Sequence, residues 1–198
     1  MMQKLKRSFI IVLTSFVTFY VGVMVVLSFL ENSMVYFPAP WTAFDDLAPD
    51  DTLKDHFFTN ADGNKLHALV HKTENAKGHL LYLHGNAGHI GHRAEILRHL
   101  ATAHQFTVMG VDYRGYGKSG GNPSFTTMLS DANAVLESMN IVLGASGFHG
   151  PTYVMGRSMG RHSAFELAAQ GNPRVKGVII ESGRPSLGQF TGGLSPQQ

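Results

Sequence analysis

The chain has 198 residues, of which 43% are hydrophobic and 15% charged, a composition that excludes intrinsic disorder and allows one domain plus an extension. Its 16 basic and 14 acidic residues leave a net charge of +2, which gives no basic surface for nucleic acid. The absence of cysteine excludes disulfides, thiolate nucleophiles and zinc–thiolate sites.

Residues 8–30 are uncharged and mostly apolar on every face, preceded by Lys4, Lys6 and Arg7. At 1.5 Å per residue such a helix crosses a hydrocarbon core of about 30 Å. An uncleaved anchor is therefore expected over 8–30, in contact with the bilayer. Residues 1–7 are expected in the cytoplasm, and the rest of this single-pass chain outside it or in a lumen. A cleaved signal peptide is the rival reading. It needs a shorter apolar run and a small-residue cleavage site, and Glu31-Asn32-Ser33-Met34 is a poor one.

Residues 31–50, with the stiff Phe37-Pro38-Ala39-Pro40, read as a linker. A globular domain is expected over 51–182. It begins with strands at 56–59 and 65–71 around the turn Ala61-Asp62-Gly63-Asn64. A buried strand follows at 79–83, then a helix at 90–103 with Ile96, Leu97 and Leu100 on one stripe, and a strand at 106–111. Ser124 is placed to cap a helix to about 138 that buries Met128, Ala132, Val135 and Leu136. A strand at 153–155, a helix at 158–169 and a strand at 175–180 complete the alternation. Strands alternating with helices predict an α/β fold whose mostly parallel sheet is covered on both faces. The tail, 183–198, is rich in Gly, Ser, Pro and Gln without periodicity and is expected to be unstructured.

Gly156-Arg157-Ser158-Met159-Gly160 fits G-x-S-x-G, with a predicted strand before it and a helix after it. In such an elbow only glycine fits the flanking positions, and the serine takes a strained backbone that exposes its hydroxyl. Ser158 is the expected nucleophile, with the helix N-terminus offering amides to a developing oxyanion. His84-Gly85-Asn86-Ala87-Gly88 directly follows the 79–83 strand, where a second oxyanion amide is expected. Asn86 and Met159 are the expected pair. Gly115-Tyr116-Gly117-Lys118-Ser119-Gly120 imitates nucleotide-binding loops. However, Asp112 stands where a P-loop needs glycine, and Gly121-Asn122-Pro123 interrupt the turn into a helix, so no nucleotide is expected. His89-x-x-His92 has metal-ligand spacing but no third ligand is placed to join it, so neither a metal nor any other cofactor is expected.

The segments HGNAGHIGHR (84–93), VDYRGYGKSGGNPS (111–124) and VMGRSMG (154–160) together resemble the α/β-hydrolase superfamily, and most of all its N-terminally anchored serine hydrolases. The resemblance implies a mostly parallel eight-stranded sheet and hydrolysis of an ester, thioester or amide through an acyl-enzyme on Ser158. It implies oxyanion amides at Asn86 and Met159 and structural roles for Asp112, Arg114, Gly115 and His84. Held against a bilayer, such an enzyme would take a small-molecule or lipid-like acyl substrate.

The sequence departs from that pattern after the elbow. The triad order is serine, acid, histidine. Beyond Ser158 the acids are Glu166 and Glu181, and the one histidine, His162, precedes both. The triad acid and base are therefore unassigned. Glu181 ends the last strand, where some hydrolases of this class place their acid, and His89 and His92 lie near the oxyanion loop. The fold's last strands and helices are expected to be missing, which would leave 175–180 as an apolar sheet edge. Arg161 occupies a position usually held by a small residue. A truncated product, inactive or serving as a membrane-tethered binding module, is the alternative expectation.

Overall fold

The computed structural model describes residues 2–42, 52–144 and 150–182. It divides into two compact units, 1–36 and 37–198. The first is a single helix, α1 (Met2–Val35), with 25 residues from Lys6 to Leu30 long and apolar enough to cross a membrane. Its large side chains, Phe9, Phe19 and Phe29 among them, are exposed along its length. An apolar helix without a polar face is stable in hydrocarbon rather than in water.

The second unit is an α/β domain built from β1 (Phe37–Pro38), β2 (Leu53–Thr59), β3 (Lys65–His71), β4 (Gly78–Leu83), β5 (Ala87–Gly88), α2 (Ala94–His104), β6 (Phe106–Val111), α3 (Phe125–Gly144), β7 (Thr152–Arg157), α4 (Arg161–Ala169) and β8 (Val175–Glu181). The main sheet runs β2-β3-β6-β4-β7-β8. β2, β3 and β6 pair antiparallel, whereas β6, β4, β7 and β8 run parallel. β4 lies centrally and every one of its residues is buried, as a parallel strand covered on both faces must be.

Alternation along the strands divides the core. Leu80, Tyr82 and Val108 pack with Ile90, Leu97 and Ala101 beneath α2. On the opposite face Leu66, Leu83 and Val111 meet Met128, Ala132 and Val135 of α3. Gly110 sits under α2 because a Cβ there would come within 2.9 Å of Leu97. Ser124 caps α3 as expected, its hydroxyl accepting from Thr127 N at 3.1 Å.

Several boundaries move. The domain begins at Phe37 rather than at 51, and α1 runs on to Val35, so residues 31–40 are not a free linker. β1 pairs in parallel with β5, Phe37 opposite Ala87 and Pro38 opposite Gly88. The reason lies in the prolines: they occupy alternate positions, while the N–H groups of Phe37 and Ala39 donate to the carbonyls of Asn86 (2.9 Å) and Gly88 (3.2 Å). The helix expected at 90–103 opens with a tight turn, Ile90–Arg93, before α2. α3 continues to Gly144, past the expected end at 138. The rest of the predicted linker, 43–51, and the predicted tail, 183–198, lie outside the described residues. Among those residues β8 is the last strand at its end of the sheet, and Ile179 on it is 45% exposed.

Candidate active site

Ser158 stands immediately after β7, in a tight turn, Ser158–Gly160, that leads into α4. Its φ is 51°, in the left-handed region that ordinary residues avoid. The two flanking glycines are forced by contact. A Cβ on Gly156 would come within 2.7 Å of Arg161 Cα and of Gly160 O. A Cβ on Gly160 would run into the carbonyls of Leu83 and His84, at the end of β4. The elbow and the loop after β4 are therefore pressed together, and an ideal Cβ on Gly85 would lie 3.5 Å from Ser158 Cβ and 4.0 Å from its Oγ. The sequence expectations for Ser158 and the 84–88 loop thus fall on one spot.

The carbonyls of that loop are held one after another. Tyr113 Oη donates to His84 O at 2.8 Å. His84 Nδ1 donates to Gly85 O at 2.6 Å. Tyr116 Oη donates to Asn86 O at 2.8 Å, and Phe37 N reaches the same oxygen. In a trans peptide the N–H is antiparallel to the C=O. Fixing Gly85 O therefore fixes the direction of the Asn86 N–H, the amide expected to face an oxyanion.

Asp112 anchors the loop from within the core. Its Oδ1 accepts from Ile90 N at 2.7 Å and its Oδ2 from His67 Nδ1 at 2.7 Å, with His84 Nε2 3.6 Å away. Burial pushes this carboxyl up, but hydrogen bonding from His67 and the charge of the neighbouring rings outweigh it, so its pKa is held well below the ordinary value. His67 passes the network outward, its Nε2 lying 2.9 Å from one Asp55 carboxylate oxygen, and Lys118 Nζ donates to the other at 2.8 Å. Lys118 also lies 4.1 Å over the Trp41 ring, and Ser119 Oγ donates to Asp112 O. The residues that imitate a P-loop are thus engaged in joining β2, β3 and the loop after β6.

Arg114, from the same segment, makes a two-pronged ion pair with buried Asp131 on α3, Nε and Nη2 each 2.6 Å from a carboxylate oxygen. Asp62 accepts from it as well, at 2.6 Å. The pairing raises the Arg114 pKa, the Asp131 hydrogen bonds most of all. Asn60 Nδ2 donates to Asp131 at 2.8 Å and closes the cluster.

The structure places each residue considered as a triad partner. Glu181 lies opposite Arg157 in the sheet register and forms an ion pair with its Nε at 3.6 Å. His162 stands edge-on to Phe125 with ring centres 5.2 Å apart, and burial and the adjacent Arg161 lower its pKa. The His89 ring is fully buried, accepts from Gly91 N at 3.1 Å, and lies tilted by 36° against His92 and Trp41, with ring centres 3.7 and 4.7 Å away. Arg161 fits after the elbow because its side chain turns back, Nη1 lying 3.4 Å from Ser158 O.

Sequence reasoning missed the roles of Tyr113, Tyr116 and the 37–40 segment. The repeated tyrosines of Asp112-Tyr113-Arg114-Gly115-Tyr116 were a usable signal, because buried phenols require acceptors.

A mostly parallel sheet with a serine elbow beside the loop after a central strand defines an α/β hydrolase. The family described as serine aminopeptidase, S33, matches residues 74–186, more than half of the chain, and the chain belongs to it. The protein is 35% identical over 105 residues to Protein bem46 of Schizosaccharomyces pombe, covering 52% of this chain and 34% of that one. It is 39% identical over 90 residues to lysophosphatidylserine lipase ABHD12 of Bos taurus, covering 44% of this chain and 21% of that one. The chain thus spans well under half the length of either relative. Among solved structures, the Pyrococcus furiosus esterase Pf2001 matches with a TM-score of 0.54 at 21% identity, covering 73% of this chain and 55% of that one. That likeness concerns the fold.

Proposed function

We propose that the chain carries the nucleophile half of a membrane-anchored serine hydrolase site. Ser158 is the nucleophile, and the amides of Asn86 and Met159 stabilise the oxyanion formed when it attacks an acyl carbon. The observation that carries this is Ser158 at φ 51° on a glycine-flanked elbow, pressed against the loop whose carbonyls are tied back. The reaction class is transfer of an acyl group from an ester, thioester or amide to serine and then to water. Membership of the S33 hydrolase family and the likeness to a lysophosphatidylserine lipase support an acyl substrate of lipid-like character. Anchoring by residues 8–30, with Lys4, Lys6 and Arg7 retained in the cytoplasm and the domain on the far side, fits the length and flanking charge of α1. A small-molecule short-chain ester offered to the detergent-extracted protein tests the reading. Hydrolysis that disappears in Ser158→Ala supports it, and hydrolysis that survives the substitution contradicts it.

A second reading is a catalytically inactive, membrane-tethered binding module. It is favoured by the placement of the acid and the histidine that follow the elbow: Glu181 pairs with Arg157, and His162 stands against Phe125. A serine without a base is a weak nucleophile at neutral pH.

A further inference from the structure

We infer that the segment Phe37-Pro38-Ala39-Pro40, the chain's first stretch after α1 and Tyr36, is a positioning strap for the oxyanion loop, with Phe37 and Ala39 as its working residues. The inference deepens the reading of the 84–88 loop as an oxyanion loop and rests on that reading for its consequence in catalysis.

The strap donates to the oxyanion loop from alternate residues. Phe37 N and Ala39 N donate to Asn86 O and Gly88 O, the two carbonyls that flank Ala87. Pro38 and Pro40 stand between and after them. Lacking N–H groups, the prolines offer no donor of their own, so the strap's donated hydrogen bonds come from Phe37 and Ala39. Its other side is closed by Gly117 N, which donates to Ala39 O at 3.3 Å, and by the bridge between Pro40 and Gly117. The strap thus lies between the two glycine-rich loops, 84–88 and 115–120. Trp41, one residue on, packs on His89 and His67 with ring centres 4.7 and 5.2 Å apart, which extends the hold to the far end of the loop.

The loop needs this hold. Gly88 has φ 82°, so its backbone is one that glycine adopts without preference for a single well. Asn86 O already accepts from Tyr116, but Gly88 O receives its hydrogen bond from Ala39. Without the strap the loop keeps its inner anchors, Tyr113, His84 and Tyr116, and loses the outer ones. The part of the chain that leaves the membrane helix would then set the precision of the oxyanion amides. An oxyanion donor is useful only when it is aimed before the charge develops.

The test uses the full chain in detergent micelles with three substitutions. Phe37→Pro and Ala39→Pro each delete one donated N–H while keeping an extended backbone, and Phe37→Leu keeps the N–H and an apolar side chain. Hydrogen exchange is followed in peptides covering 84–93 and, for comparison, 53–71. The rate of Ser158 modification by a fluorophosphonate is followed in parallel. In both proline variants the 84–93 amides should exchange roughly tenfold faster with 53–71 unchanged. Modification should slow by roughly tenfold, less than the roughly hundredfold that follows deletion of an oxyanion donor. Phe37→Leu should behave as the parent chain. Unchanged exchange at 84–93 in both proline variants overturns the inference, as does equal acceleration at 53–71, which would signal general loosening. If the parent chain is not modified at all but exchange at 84–93 responds as described, the strap stands and the reading of Ser158 as a nucleophile falls.

Discussion

Tyr116 Oη donates to the carbonyl of Asn86 at 2.8 Å, so the loop after β6 holds the loop after β4 in place. Two segments far apart in sequence thus share responsibility for one peptide. Tyr116→Phe removes this hydrogen bond and leaves the ring packed against His84 and Tyr113. The expected loss of stability is about 1 kcal/mol, the net worth of one such bond. The expected effect on the rate of Ser158 acylation is larger than that on folding. Urea unfolding and acylation kinetics of the same variant check both.

The glycine at 160 is fixed by its neighbours. Gly160→Ala would drive a methyl into the carbonyls of Leu83 and His84. Overpacking of this kind destabilises by about 3 kcal/mol. Gly120→Ala is the matched control, because a Cβ there meets its nearest atom, Lys65 O, at an ordinary 3.6 Å. It should change stability by less than about 0.5 kcal/mol. The urea midpoints of the two variants should therefore differ widely.

The Arg114–Asp131 pair makes a third prediction. Arg114→Met leaves the buried Asp131 carboxylate with Asn60 as its remaining donor of those in the cluster. Removing one partner of a buried pair costs about 3–5 kcal/mol, because the other charge stays desolvated. The double change Arg114→Met with Asp131→Leu should recover much of that loss. Failure of the double variant to recover any would mean that Asp131 is needed for more than the charge of Arg114.

Asp112 predicts the acid limb of stability. Its folded pKa is depressed below its ordinary value of 3.8, so between the two values the unfolded chain binds the extra proton. Its contribution is therefore fully present above about pH 4 and is lost progressively as pH falls toward the folded pKa. Asp55, also depressed, acts in the same direction. Chemical denaturation of the parent chain and Asp112→Asn from pH 7 down to pH 3 should show the gap between them narrowing with acid. A constant gap would contradict the assignment.

Much of this architecture was legible in the sequence for local reasons. β3 and β6 appear with the bounds expected, because their apolar runs end at polar or turn residues. The elbow was legible because its glycines are obligatory for steric reasons that a motif records. The strap was not, since Phe-Pro-Ala-Pro has no period and its pairing partner is 50 residues away. Nor was the Arg114–Asp131 pair, 17 residues apart, because the α3 face that carries Asp131 shows its register only once the helix is packed. The extended end of α3 was missed because Met139 and Leu143 continue its buried face beyond the point at which the stripe was read.

The central claim is that Ser158 is a nucleophile served by the loop beside it. Mass spectrometry after treatment of the intact, detergent-extracted chain with a fluorophosphonate tests it most directly. The account predicts one adduct, on the peptide containing Ser158, absent from Ser158→Ala and slowed in Tyr116→Phe. A folded chain that forms no adduct, or one that forms it on another serine, would contradict the account and leave the elbow without its chemistry.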